Sequence, residues 1–457
     1  MKIVKVEVKK LFGVFDHEIN IKHSGITIII GENGLGKTVL LEMLEAFFNG
    51  KYHHLNNVAF EELLIEFDDK VKWIIKKEMG QHNLPFLELQ QKSGRTVNKY
   101  RLTSLDNREL VSIANNIARG VEFLRKVGPT TWMDRRTGDH LKPRDVVSNY
   151  GHMWIPHMPE LIYSKMDYEQ HASLPFFEEN KTAPPDWFFE RHNCINVSLI
   201  KTQRLLAIDT PDQKPTFTVE KYSAEISRLV KTKLAESTEL SSKLDRTYPN
   251  RLVNRLSKLS DVTDEYLYDQ LGKLEKKRKL LDEVGLIEID KDTFPVFTLK
   301  GSQMVVKDVL LLYVEDSFEK LQTFDEISTK IQLYLSIINK RFKHKRLHIE
   351  REHGFVLKST VLKNPDGNFQ IIPVTKLSSG EQNELVLFYE LLFKTAKNSI
   401  ILIDEPEISL HISWQNTFIE DLREINKLNE VDILIATHSP DIISNNWDLK
   451  VELKGVE

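Results

Sequence analysis

The sequence predicts an α/β fold: two strand-rich parts separated by a long helical insertion. Three observations predict it. The apolar run Ile26–Ile30 leads into the glycine-rich stretch Gly31-Glu32-Asn33-Gly34-Leu35-Gly36-Lys37-Thr38. Leu40, Leu41, Leu44 and Phe47 follow at helical spacing, which reads as strand, tight loop and helix. The run Ile400–Ile403 is apolar throughout and ends on Asp404 and Glu405, the pattern of a parallel strand buried on both faces. Helical periodicity dominates the chain between about Val219 and Phe342.

The elements follow in order. Lys2–Lys9 and Asp16–Ile21 alternate as strands, and Ile26–Ile30 is the buried strand before the loop. Thr38–Phe48 is the helix after it. Glu61–Phe67 and Lys70–Lys77 read as a hairpin turned at Asp68-Asp69. From about Gly80 to Asp186 the pattern is hard to read. Trp132, Trp154, Trp187, Pro156, Pro159 and the pair Pro184-Pro185 suggest an irregular but ordered insertion, since disordered segments are poor in aromatics. Cys194–Ile200 is expected as a strand, the Val219–Glu283 helical region is expected to break near Pro249, and Val305–Phe342 is a further helical stretch. Its apolar face is expected at Ile327, Ile331, Leu335, Ile338 and Phe342. The inserted helices form either a projecting arm with a short coiled coil or an ordinary packed lobe. Leu347–Leu357 resumes as strand. The expected division is residues 1–217, a helical insertion over 218–345, and residues 346–457.

The chain has 457 residues, 41% hydrophobic and 28% charged, the composition of a globular protein of two or more lobes. No apolar run approaches a membrane span, and the first residues lack an apolar signal-peptide core, so a cytoplasmic protein is expected. The single Cys194 excludes an internal disulfide framework and is expected to be a small buried side chain. A formal net charge of −4 gives no bulk attraction for nucleic acid, so any DNA contact would be local. Lys340–Arg346 is one candidate and Lys273–Lys279 another; the alternative for the former is that its cations complement a helix C-terminus.

The chemistry lies in five motifs. Gly31–Thr38 fits G-x-x-x-x-G-K-S/T, whose glycines let backbone N–H groups approach phosphates at a helix start. Lys37 would neutralise the β- and γ-phosphates of ATP, and the Thr38 hydroxyl would ligate Mg²⁺. Asp404 ends a strand where a metal would sit, and Glu405 is the natural general base for an attacking water. Leu377–Gln382 (LSSGEQ) opens a helix; alone it is an N-cap with a nearby acid, and with the other motifs it is a second phosphate-binding start serving an opposed ATP. Gln203, in Thr202–Arg204, would contact Mg²⁺ and the attacking water. His438, after the strand Val431–Ala436, would donate to a γ-phosphate oxygen.

This ordered set resembles the head of the ABC-type AAA ATPases, in the branch that holds the chromosome-maintenance and recombination-repair ATPases and the overcoming-lysogenisation nucleases. That resemblance implies a P-loop head of mixed sheet plus antiparallel lobe. Within the branch, Pro184–Leu206, Val374–Phe393 and Ile401–His411 look similar to the ATPase subunit of Septu-type anti-phage systems and related retron-associated ATPases.

The resemblance implies that Asn33, Gly34, Gly36, Lys37 and Thr38 bind phosphates and Mg²⁺. Gln203 would be the Q-loop glutamine, and Ser378, Ser379 and Gly380 the signature facing a partner's γ-phosphate. Asp404 would be the Walker B acid, Glu405 the base, Ser409–His411 the D-loop and His438 the switch histidine. Two departures stand out: Ser379 replaces the transporter glycine, and Ile412 follows His411 where related heads often carry proline. The short stretch beyond Pro440 is too small for the nuclease domain of lysogenisation-type proteins, and no His-Asn-His motif is evident.

The expectation is therefore a homo-oligomeric ATPase that regulates a separate small HNH-type nuclease in phage defence. A repair-type DNA clamp working without a nuclease is the alternative. A transporter ATPase fits poorly with the two large insertions.

Overall fold

The computed structural model describes residues 1–79, 85–102, 107–121, 123–136, 138–143, 145–146, 185–201, 205–207, 216–257, 263–288 and 304–455. Thr202–Arg204, with Gln203, and the stretch around Trp154 and Pro159 lie outside the described residues. The chain divides into two compact units, Met1–Pro215 with Glu390–Glu457, and Thr216–Tyr389.

Two large sheets organise the first unit, and Leu124–Gly128, Thr131–Asp134 and His140–Leu141 add a smaller antiparallel one. In the five-stranded sheet the order is Val197–Ile200, Ile400–Asp404, Asp432–Ala436, Ile26–Ile30, Lys450–Glu452, and every neighbouring pair is parallel. The central strands are apolar and buried because helices cover such a sheet on both faces. Register sets Asp404 opposite Ala436 and Ala436 opposite Ile29, so three strands end at one level. The second sheet is six-stranded and antiparallel: the strands from Glu62–Phe67 to Thr96–Leu102 follow one another as a meander, Ile3–Leu11 pairs with Glu62–Phe67, and Phe15–Asn20 lies beyond it at the edge. Helix Lys37–Phe48 contributes Leu40, Leu41, Leu44 and Phe47 to a core that also takes Val6, Val8, Leu63 and Trp73 from the antiparallel sheet and Ile29, Leu402 and Leu434 from the parallel sheet.

Part of the stretch expected to be irregular is regular. Pro85–Ser93 and Thr96–Leu102 extend the meander as a hairpin, with Ser93 opposite Thr96 and Gly94 at φ 58° in the turn. The alternation is masked because an inward position holds a glutamine: Gln91 is buried and accepts a hydrogen bond from Trp73 Nε1 at 2.9 Å. Cys194 is exposed rather than buried, because it ends helix Asp186–Asn193 ahead of the strand Val197–Ile200.

In the second unit, helix Thr218–Leu256 runs through Pro249, where a break was expected. Proline removes one rung of the helix ladder. Arg251, two residues on, donates to Leu244 O at 3.0 Å and to Asp316 Oδ2 at 2.7 Å, tying this turn to helix Met304–Gln322. Helix Asp264–Glu283 buries Leu267, Leu274 and Leu281, one side chain per heptad. Lys307 joins Asp264, and Arg255 joins Asp308 at 3.2 Å, so the three helices pack together as a bundle. The last helical stretch is two helices, the second being Asp325–Arg341. Its buried face is Ile327, Ile331, Tyr334 and Ile338; Leu335 is only half-buried because Tyr334 fills that turn and donates to Leu385 O at 3.0 Å. Lys345–Glu350, Gly354–Lys363 and Phe369–Ile372 then form an antiparallel sheet, followed by helix Ser379–Tyr389.

Candidate functional site

Open parallel sheets bind ligands beyond the carboxyl ends of their strands, where loops converge. Here the strand ends at Ile30, Asp404 and Ala436 deliver Gly31–Thr38, Glu405 and Thr437-His438 to one edge. The loop's tight path needs glycine at Gly36: φ is 87°, and a Cβ there would lie 2.5 Å from Leu11 Cδ2. His17 Nε2 contacts Leu35 O at 2.7 Å and anchors the loop to the edge strand Phe15–Asn20 of the antiparallel sheet.

Lys37 is buried at the start of its helix. Its ammonium donates to Gly31 O at 2.8 Å, Glu32 O at 3.0 Å and His438 Nδ1 at 3.3 Å. Burial holds it below the usual lysine range, opposed by Glu405, Glu407 and Asp404. Because Lys37 donates, His438 Nδ1 accepts, and a neutral imidazole carries its proton on Nε2. That nitrogen faces Glu405 Oε1 at 3.6 Å.

The Thr38 hydroxyl donates to Asp404 Oδ1 at 3.0 Å. Burial pushes the Asp404 carboxyl up; the Thr38 bond opposes this, and Glu405, Glu42 and Glu407 add to it. Two oxygen donors at this spacing, beside the loop, fit Mg²⁺, which takes few protein oxygens and completes its shell with phosphate and water. Among the described residues no group of three or more His, Cys, Asp or Glu side chains makes an all-protein metal cage.

Glu405 sits in the left-handed region at φ 43° and ψ 58°, held by its N–H to Ala436 O at 2.9 Å and followed by Pro406. Left-handed backbone at a non-glycine residue costs about 1–3 kcal/mol and concentrates at functional sites. Beyond it, Ser409 and Leu410 are buried, Ser409 Oγ donates to Pro406 O at 3.1 Å, and His411 caps helix Ile412–Asn429 by accepting from Ser413 N at 3.2 Å.

The structure thus brings Lys37, Thr38, Asp404, Glu405 and His438 together within the first unit. Asn33 and Gly34 lie on the same loop. Gln203 lies outside the described residues. Ser378, Ser379 and Gly380 belong to the second unit. There the N-cap expectation is met in full: Ser378 N and Oγ both donate to Glu381 Oε2 at 3.1 Å, and Glu381 N donates to Ser378 Oγ at 3.3 Å. Lys345 closes the arrangement on Glu381 Oε1 at 2.7 Å. Ser379 stays exposed.

The two basic candidates are only partly paired, since Lys340, Lys343, Arg346, Lys276 and Lys279 stay exposed. Arg341 is buried against Glu384 at 3.3 Å, and Lys345 is on Glu381. Lys273 pairs with Asp269, Lys277 with Asp325, and Arg278 with Glu275. Sequence reasoning missed Glu407 and Gln415, which bond to the turns carrying Glu405 and His438. Glu407 stands inside a quoted motif, but its partner is 31 positions away, a separation no local pattern reveals.

The family described as AAA ATPase domain matches residues 1–115 and 158–443. No curated protein sequence matches the chain. Among solved structures, the SMC head domain from Thermotoga maritima is 10% identical, covering 100% of both chains at a TM-score of 0.31. The Smc head with an extended coiled coil bound to the C-terminal domain of ScpA, from Pyrococcus furiosus, is 14% identical and covers 97% of this chain and 91% of that one, at 0.31. The SmcHead bound to the C-winged helix domain of ScpA is 11% identical over 97% and 92%, at 0.32.

Proposed function

Since the chain belongs to the AAA ATPase domain family, we propose that it binds MgATP at the carboxyl edge of the parallel sheet and hydrolyses it slowly, as a regulatory ATPase. The observation that carries this is the meeting of Lys37, Thr38, Asp404, Glu405 and His438 at one edge, from segments up to 401 positions apart.

Each side chain has a role. The loop N–H groups and Lys37 hold the phosphates, Lys37 exchanging its loop carbonyls for phosphate oxygens. Thr38 and Asp404 would hold Mg²⁺, with Gln203 as a further ligand; the ion supplies charge neutralisation on the phosphates. Glu405 accepts a proton from the water whose oxygen attacks the γ-phosphorus. The bond from that phosphorus to the β–γ bridging oxygen breaks, and ADP and phosphate leave. His438 donates from Nε2 to the γ-phosphoryl oxygens, with its tautomer fixed by Lys37.

The finer reading concerns partners. Ser378, Ser379 and Gly380 present an exposed, prefolded helix start, which suits service to the ATP of a second copy. Two heads would then close around nucleotide and control a separate HNH-type nuclease in phage defence, as the Septu-like stretches suggest. The alternative is a DNA clamp without a nuclease, for which the exposed Lys340, Lys343, Arg346, Lys276 and Lys279 are the cations available to phosphates.

Measuring MgATP binding and phosphate release for the wild-type chain, Lys37→Ala and Glu405→Gln tests the core of this reading. Lys37→Ala should lose binding, and Glu405→Gln should bind but turn over slowly. Normal nucleotide affinity in Lys37→Ala would refute it.

A further inference from the structure

His438 lies on an irregular, exposed turn, with its side chain half-buried. A histidine that must meet a phosphate oxygen cannot be left to such a turn, and here its backbone is held from outside. The His438 N–H donates to Glu407 Oε1 at 2.7 Å. The next residue, Ser439, donates through Oγ to Gln415 Oε1 at 2.7 Å. The other end of the Gln415 amide donates to Leu410 O at 3.3 Å and Glu407 O at 3.4 Å. Gln415 is buried, and it has both a donor and an acceptor role in this network. Glu407 lies on the 3-10 turn Pro406–Ile408 that directly follows Glu405.

We propose that Glu407 and Gln415 are positioning residues for ATP hydrolysis, clamping the His438 turn to the turn that carries Glu405. The proposal rests on the ATPase reading above and deepens it. Two features separate a clamp from ordinary turn-stiffening. A carboxylate holding a backbone N–H is a charge-assisted bond, stronger than a neutral one. Glu407 also keeps its second oxygen, Oε2, buried without a hydrogen-bond partner among the described residues, a cost that a purely structural acceptor would not need. The Glu405 turn is held independently by its own N–H to Ala436 O at 2.9 Å, so losing the clamp displaces the histidine rather than the base, and errors of an ångström in reacting geometry can cost about a hundredfold in rate.

The test is a double-mutant cycle on the full chain, with steady-state ATPase rates at saturating MgATP. Glu407→Ala should lower kcat by about ten- to a hundredfold, with KM for ATP within about threefold. In a His438→Ala background the same change should cost less than about twofold. Glu407→Gln keeps an oxygen acceptor and should retain most of the turnover. Ser439→Ala, which removes only a half-buried hydroxyl, should also lower kcat, again without further loss beside His438→Ala; it serves as the probe if Glu407→Ala does not fold.

Additive losses, an unchanged kcat, or a loss confined to KM would overturn the clamp. If Lys37→Ala abolishes turnover while the cycle is additive, only the clamp fails. A wild-type chain with no turnover would overturn the clamp and the ATPase reading together.

Discussion

Lys37 shows how one side chain can be prepared for a ligand. Its ammonium is buried yet fully occupied by Gly31 O, Glu32 O and His438 Nδ1. Removing it in Lys37→Ala deletes a charge-assisted contact worth about 1.5–3 kcal/mol, so MgATP affinity should fall by more than about tenfold in a calorimetric titration. His192 is a different kind of buried cation precursor. Burial lowers its pKa to about 4, opposed by contact with Phe47 O, and Phe47, Phe48 and Phe188 pack its ring. The unfolded chain binds this proton near pH 6.5 and the folded chain only near 4, so stability is full above about 6.5 and falls as pH drops between the two. Thermal unfolding from pH 7 to 4.5 should show this loss, up to about 3 kcal/mol, and His192→Gln should flatten it. That Lys37, Thr38, Asp404 and Glu405 belong to one site was legible because phosphate chemistry demands those residue types next to a glycine-rich loop and at a strand end. The exposure of Cys194 was not, because it depends on where a helix ends.

Among the elements, the capping box at Ser378–Glu381 is local and was readable from four residues. Ser378→Ala should cost about 1 kcal/mol, a downward shift in thermal midpoint that urea unfolding can quantify. A tighter constraint sits at Gly285, at φ 77° after helix Asp264–Glu283, where a Cβ would lie 1.9 Å from Ile349 O. Gly285→Ala should therefore destabilise the second unit by more than the usual ~1 kcal/mol of a surface change, seen as a lowered midpoint in the same experiment. The hairpin Pro85–Leu102 escaped the sequence because Gln91 interrupts its apolar face, and only a tertiary partner, Trp73, makes that position inward. The run through Pro249 escaped it for a related reason: side-chain bonds around Arg251 support a turn that proline alone would end.

At the scale of the whole molecule, the ATP reading makes a prediction about assembly. Glu405→Gln should bind ATP, stall before hydrolysis and accumulate paired heads, so its gel-filtration volume should decrease with MgATP; an unchanged profile would count against paired heads. The α/β character and the site edge were legible because buried parallel strands announce themselves as apolar runs with polar ends. The strand order was not, since nothing local to Ile26–Ile30 names Asp432–Ala436 and Lys450–Glu452 as its neighbours. That order has a consequence for biosynthesis. The segment bearing the phosphate loop is synthesised long before both of its sheet neighbours, Asp432–Ala436 and Lys450–Glu452. Until translation passes residue 430, Ile26–Ile30 has exposed edges and must be kept from aggregation. A nascent chain lacking those two strands therefore lacks the sheet edge that carries the phosphate loop, and that edge is completed only when both have paired with Ile26–Ile30.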